Sequence, residues 1–224
     1  MTPQDEVEIP AGLVQLSGNL IVPADAPAVV LFAHGSGSSR HSPRNRFVAR
    51  TMNGTGLGTL LFDLLTLEEE AVDVETRQIR FDIGLLAERL GWATNWILQE
   101  PAALGRRIGY FGSSTGGGAA LVAAAARPAH VGAVVSRGGR PDLAGAALGK
   151  VRAPTLLIVG SEDDVVIDLN RQAMAQMRCE VKLELIPGAT HLFEEPGTLE
   201  SVAQLAGEWF REHLGTTPDS TSTR

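Results

Sequence analysis

The sequence predicts an α/β fold in which a mostly parallel sheet carries helices on both faces. From Ala28 onward, apolar runs typical of strands alternate with longer segments of helical periodicity, the order expected of parallel strands joined by helices. Two of these runs, Ala28–Ala33 and Gly58–Leu64, are largely apolar, as in strands buried on both faces. A third run, beginning near Arg107, turns through a glycine-flanked serine into an alanine-rich segment that ends at Ala126. Such a fold places its working residues at the carboxyl ends of the strands.

Length and composition are typical of one globular domain. The chain has 224 residues, and we predict a single domain over residues 1–214 and a polar, disordered tail over residues 215–224. The net charge of -7 argues against a nucleic-acid partner, because phosphate binding requires a basic surface. No apolar run approaches the ~20 residues needed to cross a bilayer, so no membrane partner is expected. An acidic N-terminal segment unlike a signal peptide, and a single cysteine, Cys179, together favour the cytoplasm.

The first half of the chain contains four predicted strands and two predicted helices. Alternating apolar and polar residues predict an antiparallel opening pair, Val7–Ile9 with Leu13–Val22, ahead of the two apolar runs. Helices are predicted over about 45–53 and, from spaced apolar residues, over about 77–99. The intervening stretch Leu65–Thr76 contains a run of three glutamates and is predicted to be a loop.

The second half alternates strands and helices more regularly. Its predicted strands are short and rich in β-branched residues: Ile108–Phe111, Val131–Ser136, Thr155–Val159 and Val181–Ile186. Its predicted helices are the alanine-rich segment, a short helix between Arg137 and Lys150, Ile167–Met177 and Thr198–Leu214.

The serine after the third run has the surroundings of a catalytic nucleophile. The stretch from Gly112 to Gly116 follows the G-x-S-x-G pattern between a strand and a helix, in which a sharp turn exposes the serine hydroxyl. Only the frame centred on Ser114 has glycine two residues away on both sides, where strand and helix approach too closely for a Cβ. The alternative is a glycine-rich turn with an incidental serine, since the pattern alone often occurs by chance.

A serine hydroxyl needs a base, and the base needs an orienting carboxylate. The expected chain order for this kind of turn is serine, acid, histidine. Of the five histidines, only His191 both follows the serine and lies just after a predicted strand's carboxyl end. Asp163 is the first choice for the acid, ahead of Asp164 and Glu162, although a carboxylate here could instead cap the next helix. The predicted triad is therefore Ser114, Asp163 and His191.

Acyl transfer also needs hydrogen-bond donors for the developing oxyanion. The backbone N–H of Thr115, directly after the nucleophile, is the first predicted donor. The second comes from the glycine-rich loop after Ala33, where the N–H of Ser36 is the first choice and that of Gly37 the second. His34 is expected to stabilise this loop by hydrogen bonding rather than to act in catalysis.

Four motifs together carry a family resemblance. They are His34–Ser39 (HGSGSS), Gly112–Gly116 (GSSTG), G-x-x-D-x-x-V from Gly160 to Val166, and the Ala-Thr-His triplet that ends at His191. With them, the chain from about Glu6 to Leu214 resembles the α/β-hydrolase superfamily, and within it the dienelactone hydrolase-like branch. The resemblance implies an eight-stranded sheet with a first antiparallel strand, and an acyl-enzyme mechanism on esters or lactones without metal or organic cofactor.

One departure from that family bears on the substrate. Dienelactone hydrolases proper use a cysteine nucleophile, whereas this sequence has Ser114 at the corresponding turn. This difference favours a general carboxylesterase over a hydrolase of dienelactone itself. Cys179 precedes the last strand and is expected to be a packing residue.

The segment Arg137–Pro154 is too short to contain a substantial cap domain, so the site is expected to be open and to accept small or short-chain acyl groups. Several arginines lie in the loops at this edge: Arg40, Arg44, Arg46, Arg137 and Arg140. We hypothesise that one or two of them, with Arg137 and Arg140 as the first candidates, bind a carboxylate of the substrate. The alternative is that these arginines pair with the Glu68–Glu70 run or are solvated.

The sequence therefore predicts a serine carboxylesterase that acts on a small-molecule ester. A thioesterase, an amidase or a perhydrolase would use the same triad, and a non-catalytic binding protein could share the fold. Such binding proteins usually lack a triad residue, whereas this sequence offers all three. No surface pattern predicts the oligomeric state.

Overall fold

In the computed structural model, residues 5–215 are described, and they contain one eight-stranded sheet. The strands are β1 (Asp5–Ala11), β2 (Val14–Ile21), β3 (Ala28–Ala33), β4 (Gly58–Phe62), β5 (Arg107–Ser113), β6 (Val131–Arg137), β7 (Thr155–Gly160) and β8 (Val181–Ile186). Their order across the sheet is β1-β2-β4-β3-β5-β6-β7-β8. Strand β2 is antiparallel to both of its neighbours, and the pairs from β4 to β8 are parallel. The predicted fold class is confirmed, although the strand that runs against the others is the second in the chain, not the first.

Helices cover both faces of the sheet. They are α1 (Pro43–Gly54), α2 (Leu67–Thr76), α3 (Ile83–Ile97), α4 (Thr115–Ala126), α5 (Asp164–Met174) and α6 (Thr198–Leu214), with 3-10 turns at Ile79–Phe81, Pro101–Ala103 and Pro141–Lys150. One apolar core lies between the sheet and helices α3 and α4, and a second lies under α1 and α6. Within residues 5–215, every helix is too short or too polar to cross a bilayer. Apart from Gly215, the predicted tail lies outside the described residues.

Two predictions about the segment between β4 and β5 are wrong. Leu65–Thr76 is not a loop, because it contains helix α2. Thr66 accepts a hydrogen bond from the Glu69 N–H, and the Glu69 carboxylate accepts one from the Thr66 N–H, which closes a capping box. The next helix begins at Ile83 rather than Arg77, because the carboxylate of Asp82 caps it by accepting from the Leu85 N–H.

Other boundaries differ less. Helix α5 begins at Asp164, three residues before the predicted start, whereas β8 and α6 have the predicted bounds. No cap domain separates β6 from β7; the connection contains a 3-10 segment of ten residues. The loops that carry the predicted site residues therefore lie at one edge of the sheet without a cap domain between them. These loops follow the carboxyl ends of β3, β5, β6, β7 and β8.

The start of α4 packs backbone against backbone. A Cβ added to Gly116 would lie 2.2 Å from the carbonyl oxygen of Ala33 at the end of β3. A Cβ added to Gly112 would lie 2.5 Å from the carbonyl oxygen of Gly116. The two glycines of the G-x-S-x-G pattern are thus required by the close approach of the chain to itself.

Substitution of Gly116 by alanine is expected to lower the free energy of unfolding by about 1–3 kcal/mol or more, because rigid backbone must move to admit the methyl group. Gly207 in α6 is the matched control, since no atom lies within 4 Å of an added Cβ. Gly207→Ala is expected to raise the free energy of unfolding by up to ~1 kcal/mol through helix propensity. Urea denaturation of both variants measures the difference, and equal effects would contradict the close-packing argument.

Candidate active site

Ser114 occupies a strained turn between β5 and α4. Its φ of 49° and ψ of -121° lie outside the regions that non-glycine residues ordinarily adopt. The turn is held in place by backbone hydrogen bonds, since the Ser114 N–H donates to the Arg137 carbonyl at 3.2 Å and the Arg140 N–H donates to the Ser114 carbonyl at 3.0 Å. Strain of this kind is typical of a nucleophile turn, in which the side chain must project from the end of the sheet.

Asp163 and His191 form a hydrogen-bonded pair at the same edge. The distance between His191 Nδ1 and Asp163 Oδ2 is 2.6 Å, and the Asp163 side chain is 15% exposed. A donated Nδ1–H leaves His191 Nε2 free of its proton and able to act as a base. The carboxylate therefore fixes both the orientation and the tautomer of the imidazole.

The two loops that carry this pair are joined by hydrogen bonds. The Glu162 N–H donates to the Ala189 carbonyl at 3.0 Å, and the Ser161 N–H donates to the Ile186 carbonyl at 3.0 Å. Close approach is again the reason for a glycine, because a Cβ on Gly160 would lie 2.2 Å from the Ala189 carbonyl oxygen. The ends of β7 and β8 thus form one unit that positions the acid against the histidine.

The two alternative acids are placed elsewhere. Asp164 is exposed in the first turn of α5, where a carboxylate favours the positive end of the helix. Glu162 is exposed and accepts a hydrogen bond from Ser161 Oγ at 3.2 Å. Asp163 precedes α5, yet its side chain makes no capping hydrogen bond. Of the three carboxylates, Asp163 is the one that the structure brings to His191.

A glutamate that the sequence reasoning missed stabilises the histidine loop. The Thr190 N–H donates to Glu195 Oε2 at 3.1 Å, and the Thr190 hydroxyl donates to Glu195 Oε1 at 2.6 Å. The Thr190 hydroxyl, more than any other group, lowers the pKa of Glu195. This loop also holds Phe193 in a left-handed conformation, with φ of 55°. Glu195 follows His191 by four residues, but that spacing alone does not distinguish a loop-closing carboxylate from a solvated one.

The loop after β3 lies against the serine. A Cβ on Gly35 would be 3.1 Å from Ser114 Cβ, so this residue must be small. Ser36 follows in the same loop, and Thr115 is the first residue of α4, where helix N–H groups have no partner within the helix. Thr115 directly follows Ser114, Ser36 directly follows the glycine that lies against it, and both residues line one cavity.

His34 joins the oxyanion loop to β4. Its Nε2 accepts a hydrogen bond from the Leu64 N–H at 3.0 Å, and its Nδ1 lies 3.0 Å from the Gly35 carbonyl oxygen, to which it can donate. Burial lowers the pKa of His34, so the neutral imidazole that both contacts require is favoured.

We expect the His34→Phe substitution to lower the free energy of unfolding at neutral pH by about 1–3 kcal/mol, because the Leu64 N–H loses its acceptor. The pKa of His34 is lower in the native protein than in the unfolded chain. As the pH falls below the usual histidine range, the unfolded chain therefore takes up a proton at His34 before the native protein does, and the free energy of unfolding of the wild type decreases. The difference in the free energy of unfolding between the wild type and the His34→Phe variant should therefore become smaller toward about pH 5. Urea titrations at both pH values test this; the exposed His41→Phe control should show no such narrowing.

A cavity of about 160 Å³ opens beside the two predicted oxyanion donors. Helix α2 and the turn after it form part of its wall, which the loop prediction did not foresee. Burial and the neighbouring carboxylates of Asp63 and Asp73 raise the pKa of Glu70, one of the polar residues of this wall. The lining includes Ser36, Leu65, Glu70, Val74, Arg80 and Thr115.

The two arginines proposed for substrate binding differ in environment. Arg140 Nε and Nη2 donate to the Asp142 carboxylate at 2.8 and 2.7 Å, so its charge is already paired. Arg137 is only 7% exposed, its guanidinium lies 5.8 Å from the centre of the Phe193 ring, and its Nε and Nη1 have no hydrogen-bond partner among the described residues. Burial, with a smaller contribution from Arg44, lowers the pKa of Arg137 to about 10. Neither arginine pairs with the glutamate run, where Glu69 binds Arg89 instead.

Comparison with known proteins relates this chain to a family and to solved structures. The model of the dienelactone hydrolase family matches residues 16–213. A solved structure of a dienelactone hydrolase from Anabaena variabilis is 59% identical, with a TM-score of 0.94, and the match covers 95% of this chain and 99% of that one. The Pyrococcus furiosus esterase Pf2001 shares the fold at 18% identity, with a TM-score of 0.77 and coverage of 96% and 94%.

Curated relatives are longer than this chain. Proteins from two strains of Mycobacterium tuberculosis, provisionally named phosphoribosyl transferases, are each 58% identical over 210 residues. The match covers 94% of this chain but 46% of each relative, so the chain spans about half of their length.

Proposed function

The chain belongs to the dienelactone hydrolase family, and from that premise we propose that it is a serine carboxylesterase that forms an acyl-enzyme on Ser114. The observation that carries the proposal is the strained Ser114 turn at the same sheet edge as the Asp163–His191 hydrogen bond. A serine in a strained turn is well placed for attack, and a histidine held by a partly buried carboxylate is well placed to accept its proton.

The proposed reaction follows from these roles. His191 Nε2 removes the proton of Ser114 Oγ as that oxygen attacks the ester carbonyl carbon, and the N–H groups of Thr115 and Ser36 stabilise the oxyanion. Collapse of the tetrahedral intermediate breaks the bond to the alcohol, which leaves with the proton from His191. Water then attacks the acyl-enzyme as His191 takes one of its protons; the bond from the acyl carbon to Ser114 Oγ breaks, His191 returns the proton to Oγ, and the carboxylic acid is released. Asp163 remains ionised and stabilises the imidazolium in both steps.

The size of the cavity beside the site favours small substrates. The cavity beside the oxyanion donors has a volume of about 160 Å³, which suits a short acyl group or a small lactone. No cap domain lies over the site in the described part of the chain. We therefore propose short-chain esters or lactones as the substrate class, and we keep the cytoplasm as the proposed location because the chain has a single cysteine.

Other reactions remain candidates to different degrees. A thioesterase, amidase or perhydrolase would use the same residues, so substrate panels must separate them from an esterase. The transferase name belongs to relatives of which this chain matches less than half, so we do not carry that activity over to this chain. A non-catalytic protein is disfavoured because the chain has all three triad residue types, with Ser114 in a strained turn and Asp163 hydrogen-bonded to His191.

A fluorophosphonate probe tests the proposal directly, because it labels only serines that an adjacent base activates. We expect stoichiometric labelling of the wild-type protein, with mass mapping to the peptide that contains Ser114. A panel of p-nitrophenyl and thioester substrates of increasing chain length should then show a preference for short acyl oxygen esters. Labelling at another serine, or none, would overturn the assignment.

A further inference from the structure

Arg137 is a buried cation that contacts the Phe193 ring but has no anionic partner among the described residues. Its side chain is almost fully buried, and two of its guanidinium nitrogens, Nε and Nη1, lack hydrogen-bond partners among the described residues. The positive charge of Arg44 repels that of Arg137 and, after burial, further lowers the pKa of Arg137. Burial of an unpaired charge is costly, and a second positive charge increases the cost. An anion bound at this point would remove both penalties.

The surroundings of Arg137 suit such an anion. Arg44 is the second residue of α1, a helix of 12 residues whose N-terminal end carries a partial positive charge. Its Nε is a third buried donor without a partner. On its outer side, Arg44 Nη1 binds Glu194 at 3.1 Å, and the Glu194 side chain is 64% exposed. An exposed ion pair of this kind contributes little, so a ligand can displace Glu194 at small cost.

We propose that Arg137, Arg44 and the N-terminus of α1 form a phosphate subsite, so that the physiological ester carries a phosphate monoester group. This inference rests on the esterase function proposed above and specifies its substrate. A phosphate monoester offers three free oxygens and close to two negative charges. It matches the three unpartnered donor nitrogens and the two guanidinium charges, whereas a carboxylate offers two oxygens and one charge.

The subsite adjoins the proposed catalytic residues. The Arg137 carbonyl accepts from the Ser114 N–H, and Gly138, the next residue, lies against the His191 loop. A Cβ on Gly138 would be 3.2 Å from the His191 carbonyl oxygen and 3.4 Å from the Phe193 ring, which also faces the Arg137 guanidinium. A phosphate held by Arg137 thus anchors the substrate on the histidine side of Ser114.

Binding is tested without catalysis. In the Ser114→Ala protein, inorganic phosphate should raise the melting temperature more than chloride at equal ionic strength. Adding Arg137→Met should abolish this difference, and the phosphate-free melting temperature should not fall, because an unpaired buried charge has been removed. The exposed arginine of α5 supplies a matched control, Arg171→Met, which should retain the phosphate response. An undiminished response in the Arg137→Met protein would overturn the subsite.

Kinetics test the substrate class. The probes are p-nitrophenyl esters of phosphoglycolate, succinate and butyrate, which carry a phosphate, a carboxylate and no charge. The ratio of kcat/KM for the phosphate ester over the neutral ester should fall about 10- to 100-fold in Arg137→Met, as for loss of a charge-assisted hydrogen bond, and should not change in Arg171→Met. A wild-type preference for the succinate ester would overturn the phosphate assignment. Phosphate binding by Ser114→Ala without hydrolysis of any ester by wild type would support the subsite and overturn the esterase proposal.

Discussion

Replacement of Ser114 by alanine is expected to lower kcat/KM for a short p-nitrophenyl ester by roughly 10⁴- to 10⁶-fold, which leaves only the contribution of substrate binding and the oxyanion donors. The size of the effect follows from the proposed mechanism, because Ser114 Oγ forms the covalent bond and no other group in the turn can replace it. The fold should be retained, since the Ser114 backbone makes the contacts that hold the turn. Removal of the hydroxyl should also abolish fluorophosphonate labelling.

The adjacent serine provides the control for this variant. Ser113 is buried, and its hydroxyl donates to Asn45 Oδ1 at 3.1 Å on the face of the sheet covered by α1. We expect Ser113→Ala to change the free energy of unfolding by about 1 kcal/mol but to keep turnover and labelling. Circular dichroism should show that both proteins are folded. Turnover by Ser114→Ala at a rate near that of wild type would rule out the acyl-enzyme mechanism.

The second large effect is expected for Asp163→Asn, with a decrease of about 10⁴-fold in kcat. The asparagine amide would donate to His191 Nδ1, so the imidazole proton would move to Nε2, the nitrogen that must accept the serine proton. Asparagine has nearly the same size as aspartate, so the substitution should preserve packing around this mostly buried side chain. Because the carboxylate lies 2.6 Å from His191 Nδ1, the main effect should be on the tautomer of the imidazole. Because binding of the acyl group is not altered, KM should change much less than kcat.

The neighbouring carboxylates are the matched controls for Asp163. Asp164→Asn and Glu162→Gln remove a charge of the same kind within one residue, but neither side chain touches His191. Both variants should keep kcat within a few-fold of wild type. If Asp164→Asn were as damaging as Asp163→Asn, the acid would have been assigned to the wrong residue.

Much of the fold could be predicted because its strongest signals are local. The buried strands are continuous apolar runs, and the last strand and helix have the predicted bounds. Helix α2 was missed because its sequence is highly acidic and weakly amphipathic. Its stability comes from the Thr66–Glu69 capping box and the Glu69–Arg89 ion pair. The capping box could have been recognised from a threonine followed three residues later by glutamate, whereas the ion pair joins residues twenty positions apart.

The site was predictable to a different extent. Chain order and strand ends were enough to select Ser114, Asp163 and His191, because in a parallel sheet the carboxyl ends of the strands share one edge. The contrast between Arg137 and Arg140 was not predictable. They are three residues apart, Arg137 at the end of β6 and Arg140 in the loop after it, yet Arg140 is paired with Asp142 and Arg137 is buried without a hydrogen-bond partner for its Nε and Nη1. That difference depends on tertiary packing, because the Phe193 ring of the histidine loop lies against Arg137.

The position of the proposed base has a consequence for how activity is lost. His191 follows β8, which within residues 5–215 is an edge strand paired with β7 alone, and of the six residues of β8 only Ile186 is buried. An edge strand of this kind can open locally at a lower free energy than the central strands that carry Ser114. We therefore expect inactivation and global unfolding to be separable events. Mild heat or denaturant should separate the proposed base from the nucleophile while the apolar cores persist, and recovery should then require only that one strand re-form its ladder of hydrogen bonds.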